Sequence, residues 1–133
     1  MANCAIVGIN WGDEGKGRMV DYLTDHYDVV VRYQGGGNAG HTVVNEKGKF
    51  ALHLLPSGIF RDGVVNILGN GVALDCENLV QEVETLRAAG VSISPENLMV
   101  SHRASLLLPW HRELDALEEA RLKDKMYGST KQG

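Results

Sequence analysis

Cysteine, proline and aromatic residues are scarce in this chain of 133 residues: two Cys, three Pro, and 6% Phe, Trp and Tyr together. Two thiols with no Cys-x-x-Cys pair exclude a zinc knuckle of their own and a disulfide-stapled fold. Cys4, heading a strand, and Cys76, near a helix start, read as reduced, small apolar fillers. No proline-rich linker, internal repeat or low-complexity tract divides the chain, and its length fits one domain. No apolar run is long enough to span a bilayer. Met1-Ala2-Asn3-Cys4 lacks a basic leader, and Ala5 to Ile9 is too short for a signal core. Positive charge is scattered, and the net charge is −4. With no polybasic run and no aromatic ladder, nucleic-acid binding is not expected. A cytoplasmic protein with no membrane partner is the simplest fit.

Glycine is plentiful, at 16 residues, and its placement carries the chemistry. Ala5-Ile6-Val7-Gly8-Ile9 reads as a buried strand. Asn10-Trp11-Gly12-Asp13-Glu14-Gly15-Lys16-Gly17 follows as a loop. Arg18 to Asp25 can then wind as a helix with Met19, Val20 and Leu23 on one side. A strand, a glycine-rich turn and a helix start make an anion cradle, because glycines admit the backbone and the helix N-terminus offers free N–H groups. Lys16 adds positive charge. Asp13 and Glu14 add carboxylates, which beside polyphosphate imply a metal ion, a proton to remove, or both. The common P-loop pattern fits imperfectly: six residues separate Gly8 from Gly15-Lys16, and Gly17 stands where a hydroxyl would bind magnesium. Asp13 is the natural substitute. A tight strand-to-helix turn using glycine only for its backbone is the plain alternative.

A second loop of the same kind follows a second strand-like run, Val29 to Tyr33: Gln34-Gly35-Gly36-Gly37-Asn38-Ala39-Gly40-His41-Thr42. Two such loops, each bearing an acid–base group, suggest two walls of one nucleotide site beyond the carboxyl ends of parallel strands. Asp13 and His41 would face one pocket. Further on, Thr42-Val43-Val44 and Phe50-Ala51-Leu52 flank the turn-like Glu46-Lys47-Gly48-Lys49 as a hairpin. Val64 to Leu68 reads as a core strand ending in Gly69-Asn70-Gly71. Asp75 can cap a helix with Leu79, Val83 and Leu86 on its buried face, ended by Gly90. Asn97 to Val100 and Ser105 to Leu108 are short strand candidates. Pro109 suits the first turn of a last helix, with Leu114 and Leu117 inward and Glu118, Glu119, Arg121 and Lys123 outward. Alternating strands and helices predict an α/β fold with a mainly parallel sheet, a P-loop-like strand–loop–helix start and a small β-hairpin.

These segments together resemble the adenylosuccinate synthetase family. The motifs are Trp11-Gly12-Asp13-Glu14-Gly15-Lys16-Gly17, Gln34-Gly35-Gly36 with Asn38-Ala39-Gly40-His41-Thr42, and Leu52-His53-Leu54-Leu55-Pro56-Ser57-Gly58-Ile59. Gly69-Asn70-Gly71-Val72 and Gly128-Ser129-Thr130 fit as well. Arg18 replaces a frequent lysine and keeps its charge. Lys131-Gln132 stands where many members carry glycine and arginine. The family's chain is several times longer, so residues 1–133 resemble the N-terminal part of one ligase domain. The guanine and aspartate sites would lie in the absent part, and these residues alone are expected to be inactive.

The resemblance implies GTP-dependent ligation of IMP and L-aspartate, through a 6-phosphoryl intermediate, to adenylosuccinate. It implies a homodimer and Mg2+ held by the Asp13 carboxylate and the Gly40 carbonyl. Asp13 would take the proton from N1, His41 would be the general acid, and Lys16 would neutralise charge on the transferred group. GTP would meet Gly12, Asp13, Glu14, Gly15, Lys16, Gly17, Arg18, Gly40, His41 and Thr42. IMP would meet Asp13, Glu14, Gly15, Lys16, Asn38, Ala39, Gly40, His41 and Thr130. Read from the residues alone, His53 faces the polar side of a strand and Trp110 packs at a helix start. Trp11 is a loop wall or a stacking surface, and His26, His102 and His111 lack metal-ligand spacing. The chief rival is a GTPase-like switch or kinase-like module that binds phosphate without ligase chemistry. Such a switch needs the hydroxyl that Gly17 lacks and gains nothing from His41. A third reading is a non-catalytic fragment with exposed apolar surface.

Overall fold

The computed structural model describes residues 3–9, 15–38 and 40–122. A parallel sheet is built on one long central strand, β4 (Val65–Asp75). On one side lies β1 (Val29–Gly35); on the other lie β5 (Leu98–Val100) and, further along, β6 (Ser105–Leu107), all parallel to β4. The hairpin β2 (His41–Asn45) and β3 (Gly48–Leu52) forms a separate antiparallel pair. Three helices accompany them: α1 (Lys16–Leu23), α2 (Cys76–Ala88) and α3 (Pro109–Leu122). The α/β class, the parallel sheet and the hairpin are as the sequence predicts.

The core lies between the hairpin, α2 and the chain that joins them. Val43, Leu52, Leu55, Ile59, Leu86, Val91 and Ile93 form one buried cluster, with Leu79 and Val83 of α2 packed against it. Leu54, Leu68, Val72 and Leu74 form a second under β4. The Asp75 side chain accepts from the Asn78 N–H and so caps α2. Gly90 ends the helix region at φ 85°, a left-handed geometry that favours glycine.

Several expectations need correction. Ala5 to Ile9 forms no strand; Val7 and Ile9 are exposed, Ile9 at 91%. Among the described residues this apolar run pairs with no strand, and the outer edge of β1 is left without a neighbour. The strand of the predicted strand–loop–helix start is therefore missing, while α1 begins at Lys16, earlier than expected. Gly69-Asn70-Gly71 does not end a strand, because β4 runs through it. The register against β1 slips there, from Arg32↔Leu68 to Gln34↔Gly71. A Cβ on Gly71 would stand 2.7 Å from the Tyr33 carbonyl oxygen, so glycine serves close approach at a bulge rather than a turn.

Met19 is exposed, with Val20 and Leu23 half-buried. Cys4 and Cys76 are free but exposed, not fillers. Trp110 is 55% exposed, its ring edge-on to His111. In α3 the expectation fails in part: Leu114 and Leu117 are exposed and Glu119 is buried, while Glu118 and Arg121 are exposed as expected. An ion pair between Arg112 and the buried Asp75 carboxylate ties α3 to the end of β4. Arg112, Ala116 and Glu119 line the same cleft from one stripe of α3, and of the three only Glu119 is buried.

Candidate functional site

Among the described residues, the two glycine-rich loops meet where His41 lies on Gly17. Gly15 sits before α1 with φ 73°, and the helix starts at Lys16. A Cβ on Gly17 would stand 2.5 Å from both Cγ and Nδ1 of His41, so the imidazole lies directly on the α1 backbone. His41 opens β2, where it pairs with Leu52. Its Nε2 is buried and has no hydrogen-bond partner among the described residues. A buried ring nitrogen rarely goes unpaired. It suits a bound group that supplies the missing donor or acceptor.

Lys16 and Arg18 are exposed at the start of α1, and Thr42 is exposed on β2. Gly40 is exposed, and a Cβ there would approach His53 Cε1 at 3.0 Å. Asn38 lines a cleft of about 940 Å³ with Gly36, Gly37 and Asp75, bounded on its far side by α3. This cleft lies beyond the carboxyl ends of β1 and β4, where parallel sheets place ligands. The structure thus joins Gly17 to His41 and places Asn38 beside a cleft. Gly12, Asp13, Glu14, Ala39 and Thr130 lie outside the described residues, as do Trp11, Lys123, Lys131 and Gln132.

Sequence reasoning missed three residues that hold the second loop. Arg32, half-buried in β1, donates to the Gly36 carbonyl at 2.5 Å and to the His53 carbonyl. Burial pushes its guanidinium below the ordinary arginine value, and the Glu82 charge pushes it back up. It remains a cation at neutral pH. Glu82 of α2 accepts three consecutive backbone N–H groups: His53 at 2.8 Å, Leu54 at 2.9 Å and Leu55 at 3.1 Å. One signal was visible, a lone arginine inside the apolar run Val29 to Tyr33. Nothing local marks Glu82. His53 is exposed, as expected, but its ring faces Gly40.

A family model for adenylosuccinate synthetase matches residues 5–133. The chain belongs to the adenylosuccinate synthetase family. It is 51% identical to adenylosuccinate synthetase of Clostridium acetobutylicum and 50% identical to that of Clostridium kluyveri, over its whole length in each case. It spans 31% of the length of each of these relatives. The fully ligated adenylosuccinate synthetase of Plasmodium falciparum shares its fold at TM-score 0.80 and 38% identity, over 94% of this chain and 29% of that one. Succinoaminodeoxyadenylate synthetase of cyanophage S-2L, bound to dGMP and to dATP as energy donor, matches at TM-score 0.62 and 30% identity, over 80% of this chain and 29% of that one.

Among the described residues no helix is long and apolar enough to cross a membrane. Nor does any group of three His, Cys, Asp or Glu among them stand ready to hold a metal.

Proposed function

We propose that this chain forms the N-terminal catalytic part of a cytoplasmic, GTP-dependent carbon–nitrogen ligase. It would join IMP and L-aspartate into adenylosuccinate, releasing GDP and phosphate, as one half of a homodimer. The observation that carries this reading is the His41 ring seated on Gly17, with its Nε2 buried and without a hydrogen-bond partner among the described residues. That contact unites the loop after the first apolar run with the loop after β1. A lone phosphate-binding switch has no need of an imidazole there, and family membership also weighs against one.

The chemistry follows from the substrate. The oxygen on C6 of hypoxanthine is a poor leaving group until it is phosphorylated. Asp13 takes the proton from N1, which makes that oxygen nucleophilic toward the γ-phosphoryl group. Lys16, at the N-terminus of α1, offsets the charge that develops on the transferred group. His41 donates from its unpaired edge as negative charge builds up. Aspartate's amino nitrogen then bonds to C6, and phosphate departs with the C6 oxygen. Gly12, Gly15, Lys16, Gly17 and Thr42 line the GTP phosphates, with Arg18 at the edge. Asn38 and Thr130 hydrogen-bond the IMP 5′-phosphate, and Glu14, Ala39 and Gly40 are further IMP contacts.

The donor set fits magnesium better than a metal held wholly by side chains. Gly40 offers an exposed backbone oxygen beside His41, Asp13 would add a carboxylate, and Mg2+ keeps the rest of its shell as water and phosphate oxygens. When bound, it would screen the phosphate charge and hold the γ-phosphoryl group in line.

The test is a coupled assay of the full-length protein that contains residues 1–133, with GTP, IMP, L-aspartate and Mg2+, repeated with dATP and dGMP. Adenylosuccinate formation with the first set supports the reading. Turnover only with the second set, or with neither, overturns it. Asp13→Asn and His41→Asn should each lower kcat by about 10²- to 10⁴-fold, the usual range for a positioned acid or base.

A further inference from the structure

We propose that Arg32 and Glu82 form a clamp that positions the Gly40–His41 segment, making both residues positioning residues for the proposed transfer; this rests on the function proposed above. The segment from Gly36 to Gly40 is held at both ends: Gly36 by Arg32 of β1, and Gly40 on His53, in the stretch that follows β3. At its start, the Gly36 carbonyl accepts from Arg32 at 2.5 Å. At its end, Gly40 lies against the His53 ring, leaving no room for a Cβ closer than 3.0 Å to Cε1. The His53 backbone is itself gripped from two sides. Its carbonyl accepts from Arg32, and its N–H donates to Glu82 at 2.8 Å.

Glu82 does more than close a strand end. Leu54 and Leu55 are 0% and 3% exposed, so water does not reach their N–H groups, and the carboxylate takes both. The cation and the carboxylate thus bracket the 53–55 peptide units, Arg32 on a carbonyl and Glu82 on the N–H groups. Two partly desolvated charges are a costly way to hold a loop where apolar packing would serve. The arrangement makes sense where a backbone must be fixed to a fraction of an ångström. The next residue is His41, whose ring already leans on Gly17 with no slack. A shift of the Gly36–Gly40 backbone would move that ring off α1.

Arg32→Lys keeps the charge but loses the fork that reaches two carbonyls. Glu82→Gln keeps the volume but weakens acceptance of three N–H groups. Each should lower kcat of the full chain by about tenfold to a hundredfold, the scale of a small misplacement, with KM for GTP and IMP changed less than about threefold. Each should also shift the His41 imidazole resonances by NMR at a fixed pH, a readout that simple loss of stability would leave alone in the folded fraction. Folded variants with unchanged kcat and unchanged His41 imidazole resonances overturn the clamp. Should Arg32→Lys fail to fold, Glu82→Gln decides alone. If the wild-type chain makes no adenylosuccinate while the variants still shift His41, the clamp stands and the ligase reading falls.

Discussion

At the scale of single residues, Gly17 shows how one absent atom can matter. Its backbone is helical, so alanine there should favour α1 by about 1 kcal/mol on propensity alone. The Cβ would nonetheless fall 2.5 Å from the His41 ring. Gly17→Ala should therefore leave the fold intact and displace the imidazole, lowering kcat by about tenfold or more. Stopped-flow turnover together with a thermal melt checks this; unchanged kcat in a folded variant would sink the contact as a functional one. Gly71 is a different case. Its neighbour is the Tyr33 backbone oxygen at 2.7 Å, which has no rotamer to escape into. Gly71→Ala should cost about 1–3 kcal/mol by forcing β1 and β4 apart, seen as a lowered urea midpoint.

At the scale of elements, the junction between β4 and α2 joins local and tertiary signals. Asp75 caps α2 by accepting from the Asn78 N–H and also takes Arg112 from α3. Its carboxylate is buried, whereas Arg112 is half-exposed and can return to water. Asp75→Ala should cost about 1–2 kcal/mol from the lost cap and loosen α3. Asp75→Asn should retain the cap and lose only the ion pair. Equal destabilisation by both substitutions in denaturant melts would mean that the ion pair, not the cap, dominates. The cap was legible as an Asp before an amphipathic run. The burial of Glu119 was not, because α3 is oriented by the ion pair of Arg112 with Asp75, 37 residues before Arg112.

At the scale of the whole molecule, one sheet face is left uncovered by the described residues. Val29, Val31 and Tyr33 of β1 share a side, and Val31 is in register with Ile67 and, across it, Met99. Val29, Val31, Tyr33 and Met99 are each roughly half-exposed. Parallel sheets are normally covered on both faces, and the relatives are more than three times as long as this chain. Residues 1–133 in isolation should therefore bind a hydrophobic dye and associate at micromolar concentration. Val31→Ser with Tyr33→Ser should reduce both effects in fluorescence and sedimentation. Dye binding that survives this double substitution would place the exposed surface elsewhere, for example on Leu114 and Leu117.

The sequence by itself determined the second strand and its loop, the hairpin, the capped helix α2 and the family. These rest on short-range rules: alternation, turn residues, capping, and glycines at fixed spacing around Asp13 and His41. Only the tertiary structure decided that β4 continues through Gly69-Asn70-Gly71, that Ala5 to Ile9 is left without a ladder, and that α3 turns Glu119 inward. It also decided that Arg32, Glu82 and His53 hold the second loop. Each of these depends on which distant backbone comes close, and local spacing cannot encode a contact between residues tens of positions apart.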